Sequence, residues 1–252
     1  SDVTRLPSEL FWKSRYKKLA DYGAHFIAAS DLMKNQLEEL GFLPKKISVV
    51  RFGLNLKELE FQENKTESKK ILMVGRLVEK KGFENALRAI SQLKLIGIIP
   101  EVNIFGDGPL RKKLTDLAKD LDITNFVTFH GFKPVEQVLK AHENHFLLLA
   151  PSVKAADGDT EGLPNTILEA MAKGTVVVAT RHAAIPEVVE HEQTGFLAGE
   201  RNPDELTDIL QNIFSDVYDL ETIRKRARKR IEESYTVEKM VSDTEQIYDR
   251  LL

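Results

Sequence analysis

Two glutamates separated by seven residues, Glu161 and Glu169, stand in a stretch whose residue types suit the holding of a phosphorylated ligand. Glu161, Gly162, Leu163, Pro164, Asn165 and Thr166 follow an apolar run ending at Pro151 and open a helix near Pro164. Proline suits a first helical turn. A helix start leaves backbone N–H groups free and carries partial positive charge, which favours a phosphate. Gly162 lets a ligand come close to the backbone. Glu161 falls in the loop and Glu169 about one turn into the helix, so the carboxylates address different parts of one ligand rather than share a proton. An acidic side chain near such a helix start is a partner for a ribose diol. Taken alone, the spacing fits a helix with two solvated glutamates equally well.

Other segments offer complementary chemistry. Gly75, Arg76, Lys81 and Gly82 follow an apolar run, and Arg76 and Lys81 would neutralise a departing diphosphate. The competing reading is a basic surface turn with a helix cap. Gly106, Asp107, Gly108 and Pro109 form a glycine-rich turn of the kind ordinary strand–helix connections use. His130, Gly131 and Phe132 would meet a base through backbone groups and an aromatic face, or be a turn glycine between core residues. Asp157 and Asp159 have D-x-D spacing, but in a glycine-containing loop they read as a turn, and no metal is expected. The basic run from Arg224 to Arg230, with Lys13, Arg15, Lys17 and Lys18, reads first as solvated helix faces and second as a surface for an anionic lipid or acceptor.

The elements that would position these groups are legible from periodicity. Apolar runs at 71–75, 102–106, 126–129, 146–150, 176–179 and 195–197 read as strands covered on both faces. Phe83, Ala86, Leu87, Ile90 and Leu93 keep helical spacing, as do Leu110, Leu114, Leu117 and Leu121. The alternation predicts an α/β fold with a doubly wound parallel, Rossmann-like sheet, whose ligands sit at the carboxyl ends of the strands. Residues 1–66 form a smaller unit with helices at about 8–21 and 31–40 and strands at 24–29 and 47–50. Ser30 is expected as an N-cap and Gly41 as a C-cap. Polar residues 62–70 read as a linker, 67–234 as the main domain, and 235–252 as a helix with a stripe of Val237, Met240, Val241, Thr244, Tyr248 and Leu251. That stripe must pack on the main domain or return to the small unit.

The 252 residues carry a formal net charge of -3, which argues against nucleic acid as a partner. There is no cysteine, so disulfides and thiolate-bound metals are excluded. The sequence shows neither a secretory segment nor a membrane-spanning one, and a cytoplasmic location is the expectation, with peripheral contact at the inner membrane face as the lesser one.

Taken in order, these segments resemble glycosyltransferase family 4, whose members are retaining enzymes of the two-domain GT-B fold. The matching pieces also include Ile185, Pro186 and Glu187 followed by Thr194, Gly195 and Phe196. The wording around Asp157 to Pro164 is similar to bacterial colanic-acid and exopolysaccharide transferases. The resemblance implies that Arg76 and Lys81, after Gly75, bind the donor diphosphate, and that Glu169 holds the ribose hydroxyls. It also implies that Gly131, Phe132 and Lys133 frame the base, with Gly106 nearby. Glu161 would lie on the sugar side, with Gly162, Leu163, Pro164, Asn165 and Thr166 contacting sugar and phosphates. Catalysis would rest on Glu161, Arg76 and Lys81 without metal or cofactor. The donor is expected to be a UDP-sugar, with a GDP-sugar second, and the acceptor a glycan or lipid-linked glycan. Two departures stand out: Ala183 and Ala184 replace a common glycine pair, and residues 1–60 resemble only the last part of the family's acceptor-side domain. A catalytically inactive nucleotide-sugar-binding module is the alternative, while an epimerase or phosphorylase finds no supporting segment.

Overall fold

The computed structural model describes residues 10–63 and 69–252, with side chains of the first helix from Arg15 onward. The small unit comprises α1 (Leu10–Tyr22), β1 (Phe26–Ala28), α2 (Asp31–Glu39) and β2 (Ile47–Val49). The main body runs β3 (Lys70–Val74), α3 (Phe83–Leu95), β4 (Glu101–Phe105), α4 (Arg111–Asp120), β5 (Val127–Gly131), α5 (Val135–Asn144) and β6 (Leu147–Ala150). It continues with α6 (Asn165–Ala172), β7 (Val176–Thr180), β8 (Phe196–Ala198), α7 (Pro203–Phe214), α8 (Leu220–Ser234) and α9 (Val237–Leu251). The expected start of α1 at residue 8, the side chain of Lys13 and the unit boundary at 66 lie outside the described residues.

Six strands form one sheet in the order β5-β4-β3-β6-β7-β8, all pairs parallel. Alternation along each strand builds two cores. Ile71, Met73, Leu147, Leu149 and Val178 face the layer of α3 and α7, which contributes Leu87, Ile90, Leu206 and Leu210. Leu72, Leu148, Val177 and Ala179 face α6 and α8, with Leu168, Met171 and Ile231. Each such fully buried aliphatic side chain contributes about 1.5–3 kcal/mol relative to exposure. β7 is buried at every position, which explains its unbroken apolar run.

Two expected strand ends differ for a local reason. Gly75 and Gly106 take φ of 153° and 152°, so β3 and β4 stop one residue before the glycines expected to close them. β5 instead extends to Gly131, which bridges Gly106.

The small unit is a two-stranded parallel sheet over a core of Ala20, Ala28, Leu37, Phe42 and Ile47. Ser30 Oγ accepts from Met33 N at 3.1 Å, the expected N-cap. Leu40 is the C-cap, and Gly41 follows it at φ 93°. Phe42 N–H reaches Leu37 O and Gly41 N–H reaches Glu38 O, both bonds of a Schellman ending.

This unit is tied to the main body by specific polar contacts. The Glu187 carboxylate accepts from Leu32 N at 2.8 Å and Asp31 N at 3.0 Å, capping α2 from across the chain. Arg224 donates to Gly174 O at 2.5 Å and also to Gln62 O, while Arg228 donates to Leu59 O at 2.6 Å and Ala172 O at 2.7 Å. Arg230 donates to Glu187 O at 2.6 Å. Arg224, Arg228 and Arg230 therefore clasp backbone carbonyls, while Lys225, Arg226 and Lys229 form the exposed face expected of the run. Met240, Val241, Thr244 and Tyr248 of α9 line a groove opposite Ile27, Ala29, Val50 and Phe52, so the stripe lies beside the small sheet. Among the described residues no helix is long and apolar enough to cross a membrane.

Backbone conformation generates two expectations. Gly82 has φ 64°, and a Cβ there would lie 1.8 Å from Pro151 O. Gly82→Ala should lose at least ~2 kcal/mol of stability by chemical denaturation, whereas Gly97→Ala, at φ 83° in open space, should lose only ~1 kcal/mol. Ala183 holds φ 47°, so Ala183→Gly should be neutral or gain up to about 1 kcal/mol.

Candidate functional site

The chain leaves β3 to build β4 and β5 on one side, then returns to lay β6 on the other. At such a reversal the turns at the two carboxyl ends diverge and leave a crevice. The turn after β3 carries Arg76 and Lys81, and the long loop after β6 carries Glu161.

Backbone contacts zip the first three turns into one rim. Gly75 N–H donates to Phe105 O at 3.0 Å, Leu77 N–H to Asp107 O at 2.9 Å, and Gly106 N–H to Gly131 O at 2.8 Å. The approach demands glycine: a Cβ on Gly106 would sit 1.8 Å from Gly75 O. Gly75 is covered by the aliphatic stem of Lys81, whose Cε would be 3.1 Å from a Cβ there. The lysine therefore lies back across the end of β3.

Its ammonium meets Glu161. Lys81 Nζ is 2.9 Å from Glu161 Oε2, and Lys80 Nζ is 3.4 Å from Oε1. Lys80 also reaches Asp159 Oδ2 at 3.1 Å and Thr160 O at 3.4 Å. Burial pulls the Lys80 pKa down, but hydrogen bonding and charge from Asp159 and Glu161 outweigh it and hold the pKa above its usual value. The Glu161 side chain is only 12% exposed. Asp157 Oδ1 accepts from Asp159 N–H at 3.0 Å, a local turn contact. The two aspartates are thus engaged by a turn and a lysine.

Glu169 and Arg76 contrast with this pair. Glu169 is half-buried in the first turns of α6, and its side chain has no partner among the described residues. Burial alone pushes its carboxyl above the usual value. Arg76 is exposed, and its guanidinium likewise has no partner among the described residues. Pro164 occupies the cap position with ψ 125°, so it precedes the helix and is not part of its first turn. No acceptor among the described residues takes the N–H groups of Gly162, Leu163, Asn165 or Thr166. A carboxylate short of solvent and a row of free donors thus lie at one helix start.

The segment after β5 is more open. His130 Nε2 lies 2.6 Å from Asn103 Oδ1 and its ring packs edge-on to Phe105 at 5.0 Å, so the histidine joins two strands. Burial first, and Lys133 second, lower its pKa. Phe132 is 78% exposed, beyond Gly131 and before the partly covered Lys133. On the opposite side, Ser30, Leu32, Met33, Gln36 and Phe52 of the small unit enclose a cavity of about 230 Å³ with Glu161, Gly162 and Leu163.

Three participants escaped the sequence reading. Lys80 was indistinguishable from its neighbour by type. His182 accepts from Glu161 N–H at Nε2, 3.1 Å away, and its Nδ1 is 2.7 Å from Glu200 Oε1. A lone histidine after a strand and a glutamate further on carry no shared spacing signal.

The "Glycosyl transferases group 1" family model matches residues 56–230. Among curated relatives, the chain is 34% identical over 223 residues to the putative colanic acid biosynthesis glycosyltransferase WcaL of Escherichia coli, covering 87% of this chain and 55% of that protein. It is 33% identical over 241 residues to the amylovoran biosynthesis glycosyltransferase AmsK of Erwinia amylovora, covering 95% of this chain and 59% of that protein. The chain therefore spans little more than half the length of these relatives. A glycosyltransferase from Rickettsia africae superposes with TM-score 0.82 at 20% identity, over 96% of this chain and 67% of that one. Anabaena Alr3699/HepE, solved in complex with UDP and glucose, superposes with TM-score 0.79 at 20% identity, over 98% and 69%. The fold is the α/β sheet half of a GT-B architecture, and the chain belongs to the glycosyl transferases group 1 family.

Proposed function

We propose that this chain is the donor-binding half of a retaining, family 4-like glycosyltransferase that moves a sugar from a nucleoside-diphosphate sugar to a glycan or lipid-linked acceptor in polysaccharide biosynthesis. The observation that carries this reading is the half-buried Glu169, without a partner among the described residues, in the helix whose leading N–H groups are also untaken among them, with Arg76 and Lys81 in the turn after the neighbouring strand β3. A desolvated carboxylate without a partner is unfavourable in the free protein and becomes favourable once it accepts hydroxyl hydrogen bonds. A ribose diol supplies two such donors. Arg76 and Lys81 then face the diphosphate, Glu161 with backbone from Gly162 to Thr166 meets the sugar and phosphates, and Gly106 and Gly131 to Lys133 border the base. Positive charge and helix-start N–H groups stabilise the leaving diphosphate as the sugar becomes cation-like, and no metal is assigned a role. UDP is the favoured nucleotide, with GDP second. The relatives named for colanic acid and amylovoran biosynthesis support the polysaccharide setting, and the neighbour holding UDP supports the nucleotide. Residues 1–66 are then the end of the acceptor-side domain, 67–234 the donor domain, and 235–252 a helix returning to the former.

A second reading, a nucleotide-sugar-binding module without transfer activity of its own, is favoured for the isolated chain by its 55% span of WcaL. Radiolabelled transfer separates the two: donor binding without transfer or donor hydrolysis selects the module.

The site assignment is checked by calorimetry against UDP, GDP and their sugars. Arg76→Ala and Glu169→Ala should each weaken nucleotide binding about tenfold or more, the scale of a charge-assisted contact. Wild-type affinity for both nucleotides in both variants would sink it. Because burial raises the Glu169 pKa, its ionised form destabilises the free fold. The penalty is complete above the folded-state pKa, fades as pH falls through it, and is gone below the ordinary value of 4.5. Glu169→Gln should therefore melt higher than wild type at pH 7.5, with the advantage shrinking toward pH 4.5, while binding UDP less well.

A further inference from the structure

The loop that carries Glu161 is gripped from below by two side chains with no part in the donor contacts described above. His182 follows the end of β7 and is 2% exposed. Its Nδ1 lies 2.7 Å from Glu200 Oε1, and its Nε2 lies 3.1 Å from the amide nitrogen of Glu161. An ionised carboxylate only accepts and a peptide N–H only donates, so one ring form satisfies both contacts: neutral, protonated at Nδ1 and bare at Nε2. Glu200 also takes the N–H of Lys154 at 2.8 Å through its other oxygen. Burial pushes the Glu200 carboxyl up, but the bonds from Lys154 and His182 outweigh it and hold the group below its usual value, ionised at neutral pH. One carboxylate thus holds Lys154, near the start of the loop, directly, and Glu161, near its end, through the imidazole. Arg201 Nη2 adds a bond to Lys154 O at 2.6 Å from the residue after Glu200.

We propose that His182 is a positioning residue for Glu161: Glu200 sets its tautomer, and the bare Nε2 fixes the Glu161 amide and hence the aim of its carboxylate. The consequence rests on the reading of this site as one for nucleoside-diphosphate sugars. Glu161 pairs with Lys81 and lines the cavity beside the small unit, whereas the nucleoside contacts are assigned to Glu169. Loosening its backbone therefore costs more affinity for the sugar-bearing donor than for the bare nucleotide. A histidine that merely filled space would produce no such split.

The test uses the chain as it stands, with UDP-glucose and UDP as probes, and GDP-mannose and GDP alongside. His182→Phe keeps the volume and removes both hydrogen bonds. It should weaken UDP-glucose (or GDP-mannose, if that is the donor bound) about tenfold, the scale of one buried hydrogen bond, while the matching diphosphate changes less than about twofold. His182→Gln, whose carbonyl oxygen can accept the same N–H, should recover most of the loss. Equal losses for sugar and bare nucleotide, or no loss in either, would overturn the proposal. Two readouts need no ligand. Imidazole ¹⁵N shifts should show Nδ1 protonated and Nε2 bare, and a proton on Nε2 overturns the relay. Amide exchange at Glu161 should quicken in His182→Phe, and unchanged exchange likewise overturns it. If wild type binds none of the four probes, the donor-site reading fails while these two measurements still decide the relay. Should His182→Phe not fold, Glu200→Gln is read in the same assays with the same criteria.

Discussion

A parallel sheet that grows outward from β3 in one direction and then returns to β6 on the other must open at its carboxyl edge. Everything chemical in this protein hangs on that reversal. The turn after β3 is tight, because Gly75 and Gly106 let two backbones touch, and it throws Lys81 back over the strand end. The loop after β6 is long and runs toward the same gap. The ion pair of Lys81 and Glu161 closes the distance between elements eighty residues apart in sequence.

The charges around this gap fall into two kinds. Glu161 is held by two lysines and a fixed amide, so it is compensated before any ligand arrives. Glu169 and Arg76 are not: among the described residues one is half-buried without a partner and the other is exposed without one. A carboxylate next to a lysine lowers what that lysine offers a phosphate, since a second anion must share it. On the proposed reading, the diphosphate is therefore met first by Arg76 and the helix start, and Lys81 is shared between Glu161 and the ligand. The compensated side suits a neutral sugar, which gains from fixed hydrogen-bond geometry more than from net charge.

Periodicity made the main body legible. The apolar run of β7 and the stripe of α3 were read correctly because burial on a sheet or helix face repeats with a fixed period. Ser30 was legible as an N-cap, and Gly41 as the glycine that ends the helix, though it stands one residue past the Leu40 C-cap, because capping is local chemistry. The failures share the opposite property. Arg224 looked like one cation in a charged helix, yet it donates to carbonyls at Gly174 and Gln62, on segments far away in the chain. His182 and Glu200 meet because β7 and β8 are neighbours in the sheet, and no spacing in the chain announces that. Lys80 and Lys81 are equivalent by type, and only the turn conformation assigns each its carboxylate oxygen.

The same logic explains why the short segment from Thr180 to Val188 matters beyond its size. His182, near its start, fixes the amide of Glu161, and Glu187, near its end, caps α2. Those are the opposite walls of the cavity between the small unit and the Glu161 loop. Between them the backbone turns through Ala183 at positive φ, a conformation that costs an alanine roughly 1 kcal/mol. The small sheet has a thin core, and the Glu187 carboxylate adds an anchor at the N-terminus of α2, where its charge and the helix-start N–H groups reinforce each other. One nine-residue segment thus sets the width of the cavity from both sides. A shift of its turn would move the two walls together, which is how a single rigid connection can keep a cleft between two unequal units in register.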